Sequence, residues 1–318
     1  MDLIYTNASR IDQGVVPAYN FDLSYGAEEN DFELTIGKNE TPLEYGAFIY
    51  IEGTEYGGMI GAKKTTSDAD SVTFMGRTWH GIINSKIIEP DAGENYLVVS
   101  GDANVVLSAM IARLGLSELF VADENNSGIN IPIYQFHRYC KGYDGLRDML
   151  ADNGAKLRIA WNDRVVRLSA EPIADYTDSP VDDDETVLSV EQHNSKVNHL
   201  VCLGRGNLAE REVIHLYLDQ FGRIGDTQYY TGLAEIADTY DNSNAEDLKS
   251  EGVKRFKELL DIDSAEITMS EDTNIAFDIG DKVGSTDITT GVSVSATVTQ
   301  KIVKINNGFI NIEYKTGR

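Results

Sequence analysis

The chain has 318 residues, 42% of them hydrophobic, with 16 Tyr and 10 Phe; this excludes a disordered polypeptide and allows roughly two to four compact modules. Its 52 Asp+Glu against 27 Lys+Arg give a formal charge of −25, with the acids spread along the whole sequence, which argues against reading of nucleic-acid sequence and against anionic membranes as partners. No apolar run approaches the roughly 20 residues of a membrane span, and the opening MDLIYTNASRIDQG lacks a basic start followed by an apolar core, so neither membrane insertion nor a standard export signal is expected.

From Phe21 to Ser100 short alternating runs, FELTIG, FIYIEGTEYGGMIG, SVTFMG and NYLVVSG, are broken by glycine turns such as Gly57-Gly58. Period-two runs of this length predict antiparallel strands of a small barrel or sandwich. After Gly101 the period changes. Asp102 can cap a helix carrying Val105, Val106, Ala109, Met110 and Leu114 on its apolar face, ended by Gly115. A second helix is expected from about Tyr143 to Asn153, with Leu146, Met149 and Leu150 inward and Gly154 as its stop. LRIAWNDRVVRLSAE then predicts a hairpin turning at Asn162-Asp163, so residues 101 to about 180 form a mixed α/β module, and YTDSPVDDDET has the composition of a linker. Strands resume in TVLSVEQ, HLVCLGRG and EVIHLYLD. Between Asn244 and Asp261 the segment AEDLKSEGVKRFKELLD places Leu248, Val253, Phe256, Leu259 and Leu260 on one helical face, an excursion before the strands AEITMS, AFDIGDKV, VSVSATVTQKIVKI and FINIEYK.

None of the chemical motifs survives its context. Gly204-Arg205-Gly206-Asn207-Leu208-Ala209 follows an apolar strand, with Asp226 downstream, as in a dinucleotide fingerprint, but EREVIHLYLD alternates like a strand where the fingerprint needs a helix. Asp123, Asn125, Ser127 and Gly128 match the first half of a calcium loop, whose twelfth place is here Tyr134 instead of the bidentate Glu; a polar surface loop is the expected reading. The five histidines, His80, His137, His193, His199 and His215, show no HExxH or HxxxH spacing, so a metal site is open to them only by long-range convergence. His199 and His215 are expected on strand faces, with their polar tips hydrogen-bonded or exposed. Cys140 and Cys202 form no CxxC pair and are expected as free thiols in a reducing cytoplasm. Arg77 among Phe74, Trp79, Ile82 and Ile83 allows a buried ion pair or a surface position. Asp281 can cap turn amides while Val283 returns to the core. No nucleophile elbow, Walker loop or SxxK is present, and no catalytic, cofactor-binding or metal-binding residue is nominated.

Five phrases in order carry a resemblance: YGAEENDFELTI with IYIEGTEYGGMI; GRTWHGIINSKIIEP; KGYDGLRDMLADNGAKLRIAW; NHLVCLGRG; and FDIGDKV with a closing strand ending in Gly-Arg. Together they resemble the N-terminal hub region of siphophage tail-associated proteins, a family related in fold to the central baseplate hub of contractile-tailed phages. The resemblance implies an α+β, mainly β fold with two small antiparallel β-barrel tube domains. The first would be residues 1–100, the second the discontinuous 187–235 and 265–318, with a mixed α/β outer domain at 101–186 and a helical insertion at 236–264. It implies no enzyme and no cofactor. The implied assembly is a homotrimer in the virion at the phage tail tip, built in the cytoplasm of the bacterial host. It would dock on distal-tail or tail-tube ring proteins and let DNA pass without specific binding. Acidic walls around such an opening would give the charge a purpose. Members often carry a C-terminal lysin or receptor-binding extension, an activity expected here from a partner or from sequence beyond Arg318. A virion-associated glycan-binding module, or a glycoside or peptidoglycan hydrolase using paired carboxylates, is the alternative.

Overall fold

Alternation along the N-terminal third gives buried and exposed side chains in turn: in Asp31–Gly37 the residues Phe32, Leu34 and Ile36 point inward. The computed structural model describes residues 1–38, 43–177, 186–191, 196–243, 247–260, 264–269, 276–286, 293–306 and 308–317. They divide into two units, residues 1–189 with 266–317, and residues 190–265.

The first unit opens with β1 (Ile4–Thr6), β2 (Asp12–Val15), β3 (Tyr19–Gly26), β4 (Asp31–Gly37), β5 (Phe48–Tyr50), β6 (Gly57–Thr65) and β7 (Ser71–Thr78). There follow α1 (Trp79–Asn84), β8 (Ile87–Ile88), β9 (Val98–Asp102), α2 (Ala103–Arg113), β10 (Phe120–Ala122), β11 (Asn130–Gln135), β12 (Cys140–Lys141), α3 (Gly142–Ala151), β13 (Ala155–Asn162), β14 (Val165–Pro172), β15 (Asp175–Tyr176) and β16 (Thr186–Glu191). The second unit holds β17 (His199–Leu203), β18 (Val213–Leu218), β19 (Ile224–Gly225), β20 (Ala237–Asp241) and α4 (Leu248–Leu260). The chain ends with β21 (Ser264–Met269), β22 (Lys282–Thr286), β23 (Ser293–Asn306) and β24 (Phe309–Gly317).

The fold is α+β and mainly β. The two separate barrels expected from the resemblance are not what the described ladders draw. One sheet runs β16-β21-β24-β23-β3-β4-β7-β6-β5-β1-β2, with β22 branching from β23, and among the described residues it closes no barrel. The physical reason is β23. Its 14 residues are long enough to pair with β22 over Ser293–Thr297, then with both β24 and β3, and an irregularity between Val298 and Gln300 redirects it. Alternation in a sequence specifies which face a residue takes, not which strand lies beside it.

Two cores result in this unit. Strands from both chain ends enclose Phe21, Leu23, Phe32, Leu34, Phe74, Phe277, Val283, Val303 and Tyr314. The second core joins α1, α2 and α3 to β13, β14 and β5. Trp161 stacks on Tyr50 at 4.3 Å and on Trp79 at 5.1 Å, so the α/β module shares its core with residues 48–50 and 79–83. Asp102 caps α2 by accepting from the Asn104 amide at 3.0 Å and the Val105 amide at 3.4 Å. Val106, Leu107, Met110, Ile111 and Leu114 are buried, whereas Val105, placed on the apolar face by its spacing, is 65% exposed. α3 begins one residue before the expected start and buries Leu146, Met149 and Leu150. The hairpin turns one residue later than expected, at Asp163-Arg164, both with positive φ (52° and 68°), since Asn162 still pairs with Val165.

In the second unit β19-β18-β17-β20 form a separate four-stranded sheet. These strands were expected in the second barrel. Instead one face of the sheet buries Leu200, Cys202 and Leu216 against Leu248 and Phe256 of α4, making a small core of its own. The expected linker spans 176–186; Tyr176 belongs to β15 and Thr186 to β16, and residues 178–185 lie outside the described residues.

Candidate functional site

Four of the five segments that carry the resemblance, all but NHLVCLGRG, converge on a partly buried chain of ionic and hydrogen-bonded groups in the first unit. Asn30 clips the turn after β3, accepting from the Gly26 amide and donating to the Gly26 carbonyl, each at 3.0 Å. Gly26 has φ +140°, and a Cβ there would lie 2.2 Å from the Thr299 carbonyl. The glycine therefore lets β3 meet the bend of β23. Gln300, 2% exposed, secures the same junction: its amide donates to Ser24 Oγ at 2.7 Å and to the Glu29 carbonyl at 3.0 Å, and its Oε1 accepts from the Glu28 amide at 3.0 Å.

α1 follows β7 directly. Thr78 caps it, accepting from the Gly81 amide at 3.2 Å. A Cβ on Gly81 would lie 2.0 Å from the Asn30 carbonyl, so only glycine lets the helix approach the clipped turn. That approach lays His80 flat on Tyr25, with ring centroids 4.2 Å apart and planes 4° from parallel, and edge-on to Tyr143 at 5.2 Å.

Glu55 sits in the turn between β5 and β6, which is tied to β13 by the Trp161 amide donating to the Thr54 carbonyl at 2.8 Å and the Gly53 amide to the Trp161 carbonyl at 2.9 Å. Glu55 Oε1 accepts from Tyr25 Oη at 2.7 Å and from Lys301 Nζ at 2.6 Å, and His80 Nε2 lies 3.7 Å from Glu55 Oε2. Lys301 also faces Asp278 at 3.6 Å. Asp278 in turn accepts from Lys156 Nζ at 3.0 Å, and the same ammonium donates to both oxygens of Asp281, at 2.8 and 2.9 Å. Asp281 is 1% exposed; its carboxylate also accepts from the Asp278 amide at 2.8 Å and the Ala174 amide at 2.9 Å. The series thus runs Tyr25, Glu55, Lys301, Asp278, Lys156, Asp281, with His80 packed against its start.

The electrostatics follow from burial and from these partners. Burial pushes His80 down to about 4; Glu55 opposes and Lys301 reinforces this shift. Burial and then Glu55 drive the Tyr25 hydroxyl well above its ordinary range, and burial lifts Tyr56 to about 12. For Lys301 burial acts downward, but Glu55 with Tyr56, Tyr314 and Asp278 outweighs it and the ammonium is held above its usual value. For Lys156 burial also acts downward, but Asp281 and Asp278, by hydrogen bond and charge together, outweigh it and the ammonium is raised. For Asp278 burial acts upward, yet Lys301 and Lys156 bring the carboxyl below its usual range. A cleft of about 350 Å³ opens beside the series, lined by Thr54, Glu55, Tyr56, Arg158, Asp278 and Lys301. Its carboxylates already face lysines, and Asp278 is shifted opposite to a general acid, whose pKa must be raised. The arrangement joins distant segments of the first unit.

The other sequence candidates are placed plainly. Asp281 caps turn amides as its context suggested, with Val283 buried; Lys156 as its partner was not legible. Arg77 is exposed and donates to Ser85 Oγ at 2.9 Å. The stretch from Asp123 to Gly128 is a loop tied inward: Asp123 accepts from the Asn125 amide, and Ser127 donates from its amide and hydroxyl to Asp102 at 3.0 and 2.7 Å. After Gly204 and Gly206 the chain makes one 3-10 turn at Leu208–Glu210 and returns as antiparallel β18, so no α-helix N-terminus is offered to a pyrophosphate, and Asp226 pairs with Lys249 at 2.7 Å. Cys140 and Cys202 are free thiols, and burial pushes both up. His199 and His215 lie on one strand face, as expected, and touch each other. Among the described residues no group of three His, Cys, Asp or Glu is placed to hold a metal ion, and no helix is long and apolar enough to cross a membrane.

Comparison with solved structures assigns the architecture. The chain matches the prophage MuSo2 43 kDa tail protein from Shewanella oneidensis with a TM-score of 0.57 at 12% identity, over 100% of this chain and 98% of that one. The chain has the fold of phage tail proteins. The tail protein of Neisseria meningitidis MC58 matches at a TM-score of 0.54 and 12% identity, covering 100% of this chain and 96% of that one. A prophage tail protein of Listeria monocytogenes EGD-e matches at 0.54 and 12%, covering 100% and 94%. No protein-family model matches the sequence. No curated protein matches it.

Proposed function

We propose that this chain is a structural subunit of a phage or prophage tail tip, a trimeric hub that caps the tail tube and opens to let DNA pass. The observation that carries the reading is the end-to-end likeness to tail proteins, with matches that span 100% of this chain. The buried series supports it: a long sheet in which β23 is locked to β3 by Gln300 and to the turn between β5 and β6 by Lys301 and Glu55 is suited to bear load. Its partners would be two further copies of itself and a distal-tail or tail-tube ring, and its place the virion, after assembly in the host cytoplasm. The formal charge of −25 per chain would line the opening and keep DNA from adhering.

Deletion of the gene from its phage or prophage, with the tails viewed by electron microscopy, tests this. Tails lacking the tip structure, or no tails at all, are the expected result. Intact, infective tails would refute it. Cleavage of host glycan strands by the purified protein would favour the hydrolase alternative instead.

A further inference from the structure

The two histidines of the second unit converge in a way no local spacing shows. β17 and β18 are antiparallel, with His199 opposite Tyr217 and Val201 opposite His215, so the histidines are diagonal neighbours on the face away from Leu200, Cys202 and Leu216. His199 Nδ1 lies 2.6 Å from Glu235 Oε1, and Gln228 Nε2 donates to the same oxygen at 3.1 Å. An ionised carboxylate only accepts, so Nδ1 of His199 carries the proton and its Nε2 presents a lone pair. That lone pair faces His215 Nδ1 at 2.8 Å, and Tyr217 stacks on the His199 ring at 4.4 Å, holding its plane.

We propose that His199 and His215 form a two-histidine site for a borderline divalent transition-metal ion such as zinc or nickel, with Glu235 as the outer carboxylate that orients His199. Imidazole suits these ions, and a carboxylate on the far ring nitrogen is the usual second-shell arrangement. With metal–nitrogen bonds of about 2.0–2.1 Å in tetrahedral geometry, the two nitrogens would stand about 3.3 Å apart. The 2.8 Å pair therefore needs to open by about 0.5 Å, which the exposed His215 ring can supply. Without metal, His215 Nδ1–H donates a hydrogen bond to His199 Nε2. On binding, that proton moves to the exposed Nε2 of His215, and both facing nitrogens become ligands with no net loss of charge from the protein. Water, or a group from a docked partner, completes the coordination.

The test is calorimetric titration of the full chain with zinc chloride, and separately nickel chloride, in a non-chelating buffer. Saturable binding of one ion per chain that is lost in His215→Gln is the expected result; His137→Gln should bind as wild type. Glu235→Gln should bind about tenfold more weakly. The absence of saturable binding to the wild type, or a His215→Gln variant that binds equally well, would overturn the proposal. His215 is exposed, so its replacement leaves the fold intact, and circular dichroism of the variant confirms this before titration.

Discussion

Lys301 and Glu55, 246 residues apart in the chain, meet at 2.6 Å in the interior, the lysine 4% and the glutamate 19% exposed. This contact fixes the C-terminal strand β23 to the turn between β5 and β6, and it has a measurable price if broken on one side only. Lys301→Met should lower the unfolding free energy by roughly 3–5 kcal/mol, because Glu55 and Asp278 are left facing each other without the ammonium. Lys301→Met with Glu55→Gln should cost clearly less than the two single changes added together. Urea denaturation of the four proteins in the cycle checks both statements.

His80 should make stability fall on mild acidification. Its folded value is depressed to about 4 from an ordinary 6.5, so between those values the unfolded chain takes up a proton that the folded chain refuses. Stability is therefore lost as pH drops from about 6.5 towards 4, by about 3 kcal/mol over the full window. His80→Phe keeps a ring against Tyr25 and Tyr143 and should flatten this dependence between pH 6.5 and 5. Thermal melts across that range decide it; parallel pH profiles for the two proteins would show that His80 is not the titrating group.

Gly26→Ala should destabilise by at least about 2 kcal/mol, since the position combines φ +140° with a Cβ 2.2 Å from the Thr299 carbonyl. Ala at Gly53, φ +74° with open space around it, should cost less because only the backbone conformation is strained. Chemical denaturation of the two variants ranks them.

Asp102→Ala removes two roles at once, the N-cap of α2 and the anchor of Ser127. A loss of roughly 1–2 kcal/mol is expected, with faster amide hydrogen exchange in the first turn of α2 and at Ser127. Ser127→Ala should reproduce the loop effect and leave the helix protected.

Local features were legible in the sequence where a single segment decides them. The cap at Asp102, the stop at Gly154, the inward face of α3 and the turn-capping role of Asp281 all follow from residues within a few positions of each other. What was not legible depends on pairing between distant segments. Lys156 reads as a surface lysine at the start of a strand, and only the return of the chain at Asp278 and Asp281 makes it a buried partner. Lys301 sits in the alternating run VTQKIVKI, where a lysine suggests an outward face; Glu55 and Asp278 turn it inward. The strands at 199–218 alternate like those of the first unit, so their separate sheet could not be told from a second barrel. His199 and His215 likewise met only through the register of β17 and β18.

The trimeric hub is tested most directly by native mass spectrometry of the purified full chain at tens of micromolar. Three copies of the 35.1 kDa chain in one particle, about 105 kDa, are expected. A 35.1 kDa monomer persisting at every concentration would contradict the hub reading.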